Sequence, residues 1–94
     1  MRVLGRPRLE QFWKRHADAK QPALAMLAEL KEADWRTPHD VKRRYATASM
    51  VGDRRMVLNL KGNRYRVDIK IDYDLQEILI VRVGTHADYD KWTF

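Results

Sequence analysis

The sequence predicts an α+β fold in which two helices near the start of the chain pack on an antiparallel sheet formed by its second half. Three observations carry this. Three segments between Arg55 and Thr85 alternate apolar and polar residues at a period of two, the mark of half-buried antiparallel strands. Two earlier segments, Pro7–Ala17 and about Ala19–Ala33, repeat their apolar residues at helical spacing. Finally, 94 residues without a cysteine suffice for one modest core with no disulfide staples, so residues 1–94 are expected to form one domain.

Each element has a local reason. Met1 to Leu4 is a short strand candidate ended by Gly5. Pro7 suits the first turn of a helix, where its missing N–H does no harm, and Leu9, Phe12, Trp13 and His16 mark one face. Asp18 is placed to cap the second helix, whose buried stripe is expected to be Leu24, Leu27 and Leu30, joined by Ala23. Pro22 falls within that helix's first turn. Thr37-Pro38 reads as an N-cap followed by proline at the first helical position, with Asp40 favoured by the helix dipole, so a short helix is expected over Pro38–Arg44. Tyr45 to Asp53 reads as irregular, with Gly52-Asp53 turning into the sheet, and Ala87–Trp92 is too short to assign.

The strands are expected at Arg55–Leu60, Tyr65–Asp72 and Ile78–Thr85. Gly62-Asn63 is a two-residue hairpin signal, because a tight turn needs positive φ. Pairing Lys61 with Arg64 sets Leu60 against Tyr65, Leu58 against Val67 and Met56 against Ile69, apolar against apolar throughout. For the next pair the expectation is Ile71 against Leu79, Ile69 against Val81 and Val67 against Val83, with Leu79, Val81 and Val83 facing the core. A one-residue slip would turn every apolar side chain to water. The opposite face then carries Asn59, Lys61, Arg64, Arg66, Asp68, Lys70, Arg82 and His86.

Nineteen Lys and Arg against thirteen Asp and Glu give a formal charge of +6, which favours an anionic partner such as nucleic acid, an acidic protein or a membrane surface, or simply keeps the chain soluble. No apolar run reaches the length of a membrane span and none follows Met1-Arg2-Val3-Leu4, so neither a membrane anchor nor a signal peptide is expected, and the cytoplasm is the expected compartment. The sequence has no Cys/His cluster at metal-ligand spacing, no phosphate-binding glycine loop, no dinucleotide fingerprint and no serine nucleophile elbow. No cofactor is therefore expected. Metal-free cleavage of RNA is chemically open to such a chain, because the 2′-hydroxyl is an internal nucleophile and the protein need supply only a base, an acid and cations.

His86 is the sharpest candidate for that chemistry, since histidine takes and returns a proton near neutrality; a surface histidine satisfied by Asp88 or Asp90 is the alternative. Lys61, Arg64, Arg66 and Arg82 could hold phosphates through their donors, or could form a solvated face partly neutralised by Asp68 and Asp72. Asp68 opposite Arg82 reads as a cross-strand ion pair. Asn59 could hydrogen-bond a base, and Tyr89 could stack on one or anchor the tail.

The run Asn59-x-x-Gly62-Asn63-x-Tyr65-Arg66, followed by Gly84-Thr85-His86-Ala87-Asp88-Tyr89-Asp90-Lys91, resembles the HigB family of toxins from type II toxin–antitoxin systems, within the RelE/ParE-like superfamily. Ala33-Asp34-Trp35-x-x-Pro38-x-Asp40-Val41-Lys42, Gly52-Asp53 and the opening Met1-Arg2-Val3-Leu4 are similar too, so the resemblance covers essentially the whole chain. It implies a RelE-like fold with two N-terminal helices on a curved antiparallel sheet, and cleavage of mRNA on translating ribosomes. It also implies neutralisation by a HigA-type antitoxin with a helix-turn-helix domain, so that promoter DNA is met only through the antitoxin. By position Asn59, Arg66, His86, Tyr89 and Asp90 fall within the family motifs, whereas Lys61, Arg64 and Arg82 enter from sheet geometry alone. ParE-like relatives poison DNA gyrase instead, which keeps a non-enzymatic inhibitor of a protein target, and a plain RNA-binding module, as the alternatives.

Overall fold

The computed structural model describes residues 1–94 as an α+β arrangement. In chain order the elements are β1 (Arg2–Leu4), α1 (Arg6–Arg15), α2 (Lys20–Glu32), α3 (Pro38–Arg44), β2 (Ser49–Gly52), β3 (Arg55–Leu60), β4 (Tyr65–Asp72), β5 (Glu77–Thr85) and α4 (His86–Asp90), with a 3-10 turn at Ala17–Ala19 between α1 and α2. One five-stranded sheet runs β1-β5-β4-β3-β2, antiparallel except where β1 lies parallel to β5. No helix is long and apolar enough to cross a membrane.

Leu9 and Phe12 of α1, Ala23, Met26, Leu27 and Leu30 of α2, and Met56, Leu58, Leu60, Val67, Ile69, Ile71, Ile78 and Ile80 of the sheet belong to one buried cluster. Met26 takes the place on the α2 stripe expected of Leu24, which is half-buried. The chain must pass close under β5 to enter α1, and Gly5 permits it: its φ is +88°, and a Cβ there would lie 2.6 Å from the Ile80 carbonyl oxygen. Arg8 secures the same place by donating to that carbonyl at 2.8 Å. The α3 start is as expected, with Thr37 and Asp40 forming a reciprocal capping box.

The β3–β4 register follows the expected pairs from Leu60 with Tyr65 to Met56 with Ile69. The turn differs in detail. It spans four residues, and the positive φ angles fall on Lys61 and Gly62 rather than on Gly62 and Asn63. The β4–β5 ladder keeps Val67 with Val83 and Asp68 with Arg82, then shifts at a bulge so that Ile69 meets Ile80 and Ile71 meets Ile78. Ile78 and Ile80, not Leu79 and Val81, therefore fill the core, because one extra residue at a bulge reverses the parity of a strand.

Two further expectations are corrected, and one segment left unassigned takes a defined form. Ser49–Gly52 is an edge strand on β3 rather than irregular chain. The segment after Thr85 forms a helical turn over His86–Asp90. Asp18 does not cap α2, whose N-cap position is Ala19 with no side-chain bond. The 3-10 turn already carries the backbone into α2, leaving the Asp18 carboxylate to face the β3–β4 turn.

Candidate active site

The sheet face away from the helices is not a uniform basic surface. Val57 and Asp68 are buried on it. Arg55 donates to Asp68 at 3.1 and 2.5 Å and Arg82 donates to it at 2.9 Å. Arg82 also donates to the Thr93 carbonyl at 2.9 Å, and its guanidinium lies over the rings of Trp92 and Phe94. The segment after α4 thus folds back over the outer face.

Gly84 makes that return path possible. A Cβ at this position would fall 2.8 Å from the Asp88 Cβ and 2.8 Å from an indole carbon of Trp92. Immediately after it, β5 is converted into α4 by a capping box: Thr85 Oγ1 accepts from the Asp88 amide at 3.1 Å, and the Asp88 carboxylate accepts from the Thr85 amide at 2.9 Å. Those bonds from Thr85 hold the Asp88 carboxyl below the usual carboxylate range. Asp88 is therefore occupied, and the neighbour of the histidine is Asp90, one helical turn on, with Oδ2 3.4 Å from His86 Nδ1. Both side chains are exposed.

Tyr89 lies on the same turn, its ring 6.5 Å from the His86 imidazole in edge-to-face geometry. Arg66, paired with Gly84 across the ladder, places its guanidinium 5.3 Å from the centre of the Tyr89 ring and donates to the Asn63 carbonyl at 2.6 Å. His86, Tyr89, Asp90 and Arg66 thus gather at one rim of the sheet, where β4, β5 and α4 meet. Asn59 is the cross-strand partner of Arg66 in the backbone register, and its amide donates to Thr47 Oγ1 at 2.8 Å.

The three remaining candidates lie elsewhere. Arg82 is held by Asp68 as described. Lys61 and Arg64 turn to Asp18, donating to its Oδ2 at 3.2 and 2.7 Å, while the Tyr65 hydroxyl donates to Oδ1 at 2.5 Å. The Tyr65 hydroxyl bond and then Arg64 hold the Asp18 carboxyl far below its ordinary range. In the sequence Asp18 reads only as a helix cap and Tyr65 and Arg55 only as strand residues, since their partners, Lys61, Arg64 and Tyr65 for Asp18 and Asp68 for Arg55, come from distant positions. The sequence holds one local signal for the Thr85–Asp88 box, a Thr-x-x-Asp spacing, which the expectation of an unassigned tail did not use.

No deep cavity marks the rim. The largest depression, about 410 Å³, is lined by Asp34, Trp35, Asp40, Arg43 and Arg44, apart from every candidate residue. The rim itself is an open grouping of guanidinium, aromatic ring, imidazole and carboxylate.

A family described as the HigB toxin, the RelE-like toxic component of a toxin–antitoxin system, matches residues 19–92. The chain belongs to the HigB toxin family. It is by family the toxin of a toxin–antitoxin system, and the family implies an antitoxin partner. The matched span takes in β2 to β5 and the whole rim. A comparison with curated proteins found no match.

Proposed function

We propose that this toxin is a metal-free endonuclease that cuts mRNA on the translating ribosome in the cytoplasm and so stops translation. The observation that carries the reading is the grouping at the rim: the exposed His86–Asp90 pair beside the Arg66 guanidinium over the Tyr89 ring. In the reaction the RNA 2′-hydroxyl gives its proton to a base and its oxygen bonds to phosphorus. The bond to the 5′-oxygen breaks, and that oxygen takes a proton, leaving a 2′,3′-cyclic phosphate. His86 serves one of the two proton transfers and Asp90 orients it. Arg66 meets the negative charge that grows on the phosphate oxygens. Tyr89 offers its ring to an unstacked base, and Asn59 helps position the strand. Lys61, Arg64 and Arg82 contribute positive potential along the path.

The proposed neutralising partner is a HigA-type antitoxin with a helix-turn-helix domain, its acidic segments drawn to this basic chain. Promoter DNA is reached only through it.

Single-turnover cleavage on stalled ribosomes tests the reading. His86→Gln should keep the fold and most of the binding while losing about 10²–10⁴-fold in rate, the usual contribution of a general acid or base. Arg66→Ala should slow cleavage with a smaller change in binding. Neither rate should respond to EDTA under conditions that keep ribosomes intact. His86→Gln cleaving within a few-fold of the parent would remove the histidine from the chemistry, and growth arrest with intact mRNA would favour inhibition of a protein target.

A further inference from the structure

We propose that Lys61, Arg64 and Tyr65 form a seat for an RNA phosphate, which the Asp18 carboxylate fills as an internal counter-anion until the incoming phosphodiester displaces it. The inference rests on the reading of the protein as one that binds RNA, and adds to it a second contact point away from the rim.

Three donors converge on the two oxygens of one carboxylate, two charged groups on Oδ2 and a hydroxyl on Oδ1. A phosphodiester presents a similar pair of anionic oxygens, and a forked guanidinium with an ammonium and a hydroxyl is a common way to hold it. The seat is open, with the Arg64 and Lys61 side chains 61% and 42% exposed. Exposed ion pairs add little to stability, so fold stability alone gives weak reason to gather two cations on this acid.

Position adds a further argument. Tyr65 pairs with Thr85, the residue before His86, and precedes Arg66 on β4. The seat and the rim therefore lie on the two sides of one strand end, and a single strand of RNA passing round that end meets both. The carboxyl of Asp18 stays ionised far below neutrality, so protonation does not open the seat at physiological pH, and an incoming anion must compete with it for the three donors.

The test measures binding of a 2′-O-methyl RNA oligonucleotide across a salt series. This probe has no 2′-hydroxyl to attack, so its outcome is independent of whether the protein cleaves RNA. Asp18→Asn should bind more tightly than the parent and steepen the salt dependence by about one unit, as the freed cations take up a phosphate. Arg64→Ala in the Asp18→Asn background should abolish that gain. Asp18→Ser, which keeps an acceptor for the Tyr65 hydroxyl, repeats the comparison with a different filling of the site. Affinity and slope equal to the parent's in both single variants, or a gain that survives Arg64→Ala, would overturn the proposal.

Discussion

Asp68 and Asp18 each gather two cations, and they do so in opposite surroundings. Asp68 is fully buried, with Arg55 and Arg82 closing over it and Trp92 and Phe94 beyond them. Asp18 sits at the surface, its side chain about one-third exposed, under two cations more exposed still. The same chemical grouping therefore has two meanings. In the first, the acid is out of water and each removed partner leaves a desolvated charge behind. In the second, water competes for every member, and the group can exchange partners at small cost. A row of cations read from alternation alone hides this distinction, which is set by what covers each acid.

Substitutions can break that contrast, and the largest effect belongs to the buried acid. Asp68→Ala should destabilise the fold by about 2–4 kcal/mol in urea unfolding, somewhat moderated because the two arginines can reach solvent. Equal stability of parent and variant would mean that burial does not separate the two acids. Val67→Ala, next to Asp68 but facing the helices, should cost about 1–3 kcal/mol through lost methyl burial alone and serves as the apolar reference on the same strand. An unchanged melt would count against the β4 register.

Asp18→Asn should lower the melting temperature less than either. Its effect carries a pH signature. The folded carboxyl titrates below its unfolded value, so its stabilisation is fully present above about pH 4 and is lost as pH falls through the folded value. The gap in melting temperature between parent and variant should hold from pH 7 to 5 and close in more acid solution. A gap that widened there would have the wrong sign. The smallest effect is on salt: added NaCl should shrink the Asp18→Asn gap while leaving the Asp68→Ala gap nearly intact, because exposed charges are screened and buried ones are not. Equal salt sensitivity would erase the proposed difference.

The strands and both early helices were legible because each repeats its apolar residues at its own period. The β3–β4 register was legible because only one alignment opposes Leu58 with Val67 and Met56 with Ile69. The bulge was not, since Ile78-Leu79-Ile80-Val81 is apolar at both parities and offers no phase to read. β2 escaped because Ser49–Gly52 is a short, mostly exposed edge, held by its backbone bonds to β3 rather than by a buried stripe. At the site, the run from Thr85 to Asp90 stood out through its resemblance to a family. The choice of Asp90 over Asp88 beside His86 depended on a helical turn too short to foresee. The partners of Lys61, Arg64 and Arg82 come from distant elements, so the strand pattern could place their backbones but not say what their charges meet.

The parallel pairing of β1 with β5 bears on how the chain acquires its shape. Arg2, Val3 and Leu4 dock against Glu77, Ile78 and Leu79, so β1 must wait for a strand more than seventy residues further along before its ladder can form. Hairpins β3–β4 and β4–β5 close locally and can form early, whereas the parallel strand needs a long loop closed first, which slows folding. The bend at Gly5 and the seating of α1 against Ile80 depend on that same late strand, and His86 follows it directly. The proposed reactive rim, built from β4, β5 and α4, belongs to the part that closes locally, so it should be ordered before β1 and α1 are locked in place by the long closure.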